Sequence, residues 1–395
     1  MTKRQRPADP GGTEAEELVA RARRVLPGGV TRATVYVPPH PPYLRSGEGF
    51  EVTDESGHRL IDAQNNYTAL IHGHAHPAVV EAATDAVAHG SSFGLPTRWE
   101  VLLAEHLQRR MPTLERARFA NSGTEAVMTA IRVARRVTGR ARVLRFGGAY
   151  HGAYDAVVDA GGISPGMEAE TVRVPFGDIE GFRAAIREHG RELACVLLDL
   201  MPNRAGLRPA SEAFAMAVQE ETERCGALLL VDEIITARLA STGLHSAYGL
   251  RPHLVTLGKM VGGGFPVGVF GGRAEVMAVL EPGAEAPLGH GGTFTANPVT
   301  MRAGLAAMEH YSAEDVARIN ELGDRLRVEL IEMGHLVTGQ GSLLRLHSKR
   351  PGPEIWWALY DAGVLVAGNG LMALSTPMNE ATVDEIVQRF EGISP

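Results

Sequence analysis

Between about residues 116 and 271 the sequence alternates short runs that are apolar on both faces with stretches of helical character. The runs are "ARVLRF", "LACVLLDL", "ALLLVDE", "HLVTLGK" and "VGVFGG"; the helical stretches include 124–138 and 211–225. A strand apolar on every residue must be covered on both faces, and strands separated by helices pair in parallel. The chain is therefore expected to be α/β, with a large three-layer α/β/α domain on a mainly parallel sheet and a smaller α+β domain. In such sheets ligands bind beyond the carboxyl ends of the strands, so the polar residues that directly follow each run carry the chemical information.

The flanks read differently. A first helix is expected from Thr13, with Glu16 completing a capping box, to about Leu26, where Pro27-Gly28-Gly29 stops it. "VPPHPPYL" reads as an extended connector, and "GFEVTDESGHRLID" as strands about a turn. A helix is predicted over Pro77 to His89, with proline at its first position and Gly90 after its end. Beyond about 297 the expected order is helix, helix, strand, helix, strand, helix, with "SLLRLHS" and "LMALST" as the strands. The 395 residues exceed what one compact core usually covers. They divide into a disordered lead-in (1–12), an N-terminal segment joining the small domain (13–60), the large domain (61–296) and a C-terminal small domain (297–395).

Composition excludes several classes. With 39 basic and 46 acidic residues the net charge is −7, which argues against a nucleic-acid partner held by phosphate attraction. The two cysteines, Cys195 and Cys225, make neither a disulfide framework nor a zinc pattern, and a reducing cytoplasm is expected. No window approaches eighteen consecutive apolar residues, so no membrane span is expected. The basic start "MTKRQRPADPGG" lacks the apolar stretch of a signal peptide. In "HGHAH", His72, His74 and His76 alternate as ligands might on a strand, but no second ligand group accompanies them, and no metal is expected. "GGGFPVG" imitates a dinucleotide loop, yet Pro266 interrupts it.

Four features remain. "LVTLGKMVGGGFPVG" puts a lone lysine, Lys259, at the end of an apolar strand and ahead of three glycines, where its amine is useful and close approach to the backbone is possible. "FANSGTEAV" passes from a strand into a helix through Ser122, Gly123 and Thr124, whose backbone N–H groups and hydroxyls suit a phosphate; Ser122 and Glu125 also have the spacing of a capping box. "LLLVDEI" ends in Asp232, which can keep a ring nitrogen protonated or serve as an ordinary loop acid. "GGAYHG" sets Tyr150 and His151 after a strand, with an aromatic ring to stack on a flat cofactor, while Ile234 offers an apolar surface to the other side. A Schiff-base lysine, a partner for a pyridine nitrogen and phosphate anchors are the set that pyridoxal 5'-phosphate requires.

The chain resembles the class III, fold-type I pyridoxal-phosphate aminotransferases over nearly all of residues 13–395, through "NSGTEA", "YHG", "VDEI", "TLGKMVGGGFPVG" and "GGTFTANP". Within that family it is similar to glutamate-1-semialdehyde aminomutases ("LPGGV", "SSFGLPT", "GGTFTANP"). It is as similar to β-phenylalanine-type aminotransferases ("DEIITARLA", "GLHSAYGLRPHLVTLGK", "FGGRAEVMAVL"). The resemblance implies that Lys259 holds the cofactor and shuttles the proton, that Asp232 holds the pyridine nitrogen, and that Tyr150 and Ile234 enclose the ring, with His151 beside them. Ser122, Gly123 and Thr124 would bind phosphate together with Thr293 of a second subunit, which implies a homodimer with active sites at its interface.

On the substrate side the resemblance implies Arg32 for a carboxylate, whose shape a planar guanidinium matches, and Tyr67 as a pocket wall. Arg32 also reads as one of a surface group with Arg21, Arg23 and Arg24. Two departures stand out: Asp199-Leu200 replaces the family's Glu-Pro, and Asn369 stands where a second arginine is common. Arg204 is the candidate to restore that charge. The expected function is transfer of an amino group from a β-amino acid or related carboxylated amine to a keto acid. The alternatives are an intramolecular aminomutase and a non-catalytic cofactor-binding relative.

Overall fold

The computed structural model describes residues 12–159 and 161–394. The lead-in expected over 1–12 falls almost wholly outside them, as does the capping expected of the Thr13 side chain; the first helix runs Gly12–Val25.

Seven strands build the main sheet: β1 (Arg116–Ala120), β2 (Arg142–Phe146), β3 (Thr171–Val174), β4 (Leu193–Leu198), β5 (Leu228–Asp232), β6 (Leu254–Gly258) and β7 (Gly268–Gly272). Their order across the sheet is β1-β7-β6-β5-β4-β2-β3. Pairing is parallel from β3 through β6, whereas β7 runs antiparallel to both β6 and β1. The run "VGVFGG", read as one more parallel strand, is thus the reversed member of an otherwise parallel sheet. Only nine residues separate β6 from β7, too few for the crossover that a parallel return requires.

Both faces are covered, as runs without a polar side demand. Along β4 and β5, Cys195, Leu197, Leu228 and Leu230 pack with Ala126, Ala130 and Val133 of the helix α1 (Gly123–Thr138). Val196, Leu198, Leu229 and Val231 turn the other way, onto Phe182, Phe214 and Val218. Each leucine, valine or phenylalanine among them contributes about 1.5–3 kcal/mol by leaving water.

The expected helix Pro77–His89 forms, with Gly90 at φ 120 beyond its end. The helix Pro298–Glu309, assigned to the small domain from the sequence, packs its Met301, Leu305 and Met308 on Leu103, Leu107, Met260 and Val261 instead. Beyond it, helix Ala313–Glu332 spans two apolar clusters, with Val316 and Ile319 in this one and Leu322, Leu326 and Leu330 in the next. That second cluster unites Val37, Val52 and Leu60 with Trp356, Leu359, Val383 and Phe390.

Two small sheets flank it. Leu44–Glu48, Glu51–Asp54 and Arg59–Asp62 form a meander, and Val364–Leu365 joins it parallel to the last strand. Leu336–Gln340, Leu343–His347 and Leu371–Ala373 form an antiparallel sheet. The strand Leu336–Gln340 was not expected; its Leu336 is exposed and its Gly339 weakens the β pattern. Among the described residues no helix is long and apolar enough to cross a membrane.

Candidate active site

At the carboxyl edge of the parallel strands, Asn66, Asn121, Gly123, Thr124, Tyr150, Asp199, Asp232, Ile234 and Lys259 surround a cleft of about 340 Å³. Because β7 is reversed, its beginning lies at the same edge, and Phe265 to Val267 complete the wall.

Lys259 follows the last residue of β6 and adopts φ 49, a left-handed conformation that a lysine holds only at a cost of roughly 1 kcal/mol or more. Burial pushes its amine down to about 8, against the attraction of Asp232 and Asp199, which favours the charged form. A substantial neutral fraction, the nucleophilic form, therefore exists near neutral pH. The three glycines serve the protein's own packing more than a ligand. A Cβ on Gly263 would lie 2.4 Å from the carbonyl oxygen of Ala303, so a helix makes the close approach there; Gly264 does line the cleft.

Asp232 ends β5 with both carboxylate oxygens engaged. Oδ1 accepts from the Ile234 N–H (3.0 Å) and the Thr256 hydroxyl (3.3 Å), and Oδ2 from His151 Nδ1 (2.7 Å). His151 therefore stands behind Asp232 rather than in the cleft wall, and its fully buried Nε2 has no hydrogen-bond partner. The neighbouring acid has another role: Glu233 accepts from the backbone and ring of His245 and from Thr236.

Ser122 caps α1, its hydroxyl accepting from the Glu125 N–H (3.1 Å), while Glu125 reaches back to the Asn121 N–H (2.6 Å). The capping contact leaves the Ser122 hydroxyl its own proton to donate. Thr124 faces the cleft, Gly123 lies against Ile234, and a Cβ on Gly152 would meet Thr124 Oγ1 at 2.4 Å. Tyr150 also lines the cleft and is half-exposed, with the Arg204 guanidinium 4.8 Å over its ring.

Arg32 Nη1 donates to Asn66 Oδ1 (2.8 Å), and the Tyr67 hydroxyl donates to the Thr34 carbonyl (2.5 Å). Thr293 is not in the cleft wall; it lines another cavity with Phe93, Leu95 and Asn297. Of the HGHAH histidines, His72 bonds Thr376 and the Ala307 carbonyl and His74 pairs with Asp62, whereas the buried Nδ1 of His76 has no hydrogen-bond partner.

Asp199 was noted in the sequence only as a departure. It follows β4 as Asp232 ends β5, and the same strand-end rule singles it out. Burial first, and then the charge of Asp232, push its carboxyl up to about 7. Asn66 and Phe265 carried no comparable signal.

A buried amine with a lowered value, a buried carboxylate, a helix start whose two hydroxyls accept from backbone N–H groups and keep a proton to donate, and an aromatic face fit pyridoxal phosphate. The family model described as "Aminotransferase class-III" matches residues 35–393. The chain belongs to the class-III aminotransferase family. This class-III member has the family's fold-type I architecture and is 37% identical to the glutamate-1-semialdehyde 2,1-aminomutase of Methanothermobacter thermautotrophicus, over 85% of this chain and 83% of that protein. Among solved structures, an omega-transaminase from Sphaerobacter thermophilus superposes with a TM-score of 0.92 at 42% identity, covering 96% of each chain. A transaminase with PLP bound gives 0.91 at 40%, covering 95% of each. The β-phenylalanine aminotransferase of Variovorax paradoxus gives 0.89 at 33%, covering 95% of this chain and 92% of that one.

Proposed function

We propose that this class-III family member is a pyridoxal-phosphate-dependent aminotransferase moving an amino group from a β-amino acid, or a related carboxylated amine, to a keto acid. The observation that carries the substrate reading is the hydrogen bond from Arg32, which borders a neighbouring cavity, to Asn66 in the wall of the cleft that holds Lys259. Bound in the cleft, the cofactor supplies an aldehyde for the lysine and a ring that accepts electron density from the substrate carbon.

The protein's residues do the rest. Asp232, oriented by His151, Thr256 and the Ile234 N–H, keeps the ring nitrogen protonated through its negative charge. Tyr150 and Ile234 enclose the ring, and the start of α1 with Ser122 and Thr124 receives the phosphate. Lys259 Nζ would take a proton from the amine-bearing carbon and deliver it to the carbon of the bound cofactor that carried the aldehyde, as a general base and acid with a value near neutrality should. Arg32 orients the donor carboxylate, and Tyr67, which stands outside the cleft wall, ties the loop that carries Arg32 through its hydroxyl bond to Thr34. Arg204, stacked on Tyr150, is the cation available to a second carboxylate; Arg204→Ala is expected to weaken a dicarboxylate acceptor selectively, and an unchanged acceptor preference refutes that role.

Thr293 supports a homodimer. It stands apart from its own cleft, on a loop whose Phe294 is 62% exposed and beside Leu95, 81% exposed. In the dimer it reaches the partner's phosphate.

A second reading, intramolecular amino transfer, is favoured by the aminomutase relative at 37% identity. One measurement separates the two. The loaded protein is mixed with β-phenylalanine and no acceptor, with Lys259→Ala as control. Conversion of the aldehyde form of the cofactor to its amine form is expected. No conversion, together with acceptor-free turnover of glutamate-1-semialdehyde, selects the mutase.

A further inference from the structure

Four consecutive non-glycine residues, Asn65 to Thr68, adopt left-handed backbone, at φ 51, 47, 54 and 75. Single residues visit this region; a run of four that includes a tyrosine and a threonine persists only where the surroundings over-determine it. They do so here. Asp62 Oδ1 accepts from the Gln64 and Asn65 N–H groups (2.9 and 2.8 Å), while its Oδ2 meets His74 Nε2 (2.7 Å). The Asn65 amide donates to the Ala373 carbonyl (2.7 Å) and anchors the turn across the molecule.

The turn directs two side chains to one target. Asn66 Oδ1 accepts from Arg32 Nη1 (2.8 Å), and the Tyr67 hydroxyl donates to Thr34 (2.5 Å), so the loop 32–34 is clamped at both ends. Asn66 also lines the Lys259 cleft, whereas Arg32 is exposed, borders the neighbouring cavity, and without that bond would sample many rotamers.

We infer that Asn66 is a positioning residue for substrate selection: from its left-handed turn it holds the Arg32 guanidinium in register with the cleft and thereby sets the preference for a carboxylated amine over a neutral one. The inference rests on the reading of Arg32 as the carboxylate-binding residue. Asparagine suits the position because it tolerates left-handed backbone and its carbonyl accepts without neutralising the cation that must meet the substrate. One guanidinium N–H is spent on Asn66, and the fork retains others for a carboxylate.

The test uses the loaded protein and two carbonyl reagents, 3-(aminooxy)propanoate and methoxyamine, which attack a bound aldehyde whatever the natural amine is. Loss of the lysine-bound cofactor absorbance reports half-saturation without turnover. Asn66→Gly suits the backbone and removes the acceptor. It is expected to raise half-saturation for 3-(aminooxy)propanoate about tenfold, the scale of one hydrogen bond to a charged group, and to leave methoxyamine unchanged. On an Arg32→Ala background the glycine should change nothing.

Equal weakening of both reagents, no change with either, or an undiminished effect on the Arg32→Ala background overturns the inference. Where Arg32→Ala abolishes the preference and Asn66→Gly does not, the inference fails alone. Where Arg32→Ala leaves the preference intact, the reading of Arg32 fails and takes the inference with it.

Discussion

Gly123 opens α1 beneath the cleft, and replacing it with alanine separates stability from cofactor binding. The added Cβ would lie 2.6 Å from Ile234 Cδ1 and 3.4 and 3.5 Å from its Cγ1 and Cγ2. Ordinary contact begins near 3.4 Å, so Cδ1 must retreat by about 0.8 Å, the difference between the two distances. The atom ends a flexible side chain that packs against the α1 cluster on one side and lines the cleft on the other, so the open direction is the cleft.

An off-rotamer isoleucine costs about 0.5–1.5 kcal/mol, and alanine gains up to about 1 kcal/mol over glycine in a helix. The two nearly cancel, and the unfolding temperature of the cofactor-free protein should move by only a few degrees. Cofactor affinity should not be spared. Crowding a packed site costs about 1–3 kcal/mol, which is roughly five- to a hundred-fold in Kd. Titrating cofactor-free Gly123→Ala with pyridoxal phosphate by absorbance, alongside thermal unfolding, reads both quantities. Adding Ile234→Val, which removes Cδ1, should recover most of the affinity. A stable Gly123→Ala that binds as tightly as its parent would refute the placement of Ile234 against the ring.

Two pH effects follow from the buried charges. With Lys259 lowered to about 8, the rate at which the cofactor-free protein captures pyridoxal phosphate should rise through that value, and Asp232→Asn should shift the rise to lower pH by removing an anion that favours the ammonium form; an inflection near 10 sinks the argument. Asp199, raised from 3.8 to about 7, favours folding while it is protonated, and that contribution is lost as pH rises from about 4 to about 7. Denaturant melts of the cofactor-free protein at pH 5 and pH 8 should therefore show Asp199→Asn gaining on its parent at the higher pH, whereas a constant difference contradicts the assignment.

The main sheet was legible through its central strands, of which β4 is apolar on every residue and β5 on all but its last, whereas β1 and β3 carry Arg116, Arg118 and Arg173 and show no such pattern. The direction of β7 was not, since side-chain pattern does not encode strand sense; the nine-residue connection did, and it went unread. Lys259, Asp232 and Tyr150 emerge where the strand-end rule puts them, and Asp199 obeys the same rule. Asn66 escaped because its role depends on a left-handed turn tied to Ala373, and no local window contains both residues. The close approach that the glycines permit is made at Gly263 by Ala303, on a helix some forty residues further along, which again no local window contains.

The union of the chain's two ends also governs when the protein can become competent during synthesis. The Ile61 N–H bonds to the Gly363 carbonyl, Ile61 pairs with Val364, and the turn that holds Arg32 is anchored on Ala373, 308 residues after Asn65. At roughly 5–20 residues per second, the ribosome needs roughly 15–60 s to deliver that anchor. Throughout that interval the seven-stranded sheet, complete by Gly272, can shelter the lysine while the N-terminal meander waits exposed with its edge unpaired. A nascent chain stalled near residue 330 should therefore resist protease across the central strands and be cut before residue 66. Protection of the N-terminal segment in that stalled chain would show that the early strands find another partner first.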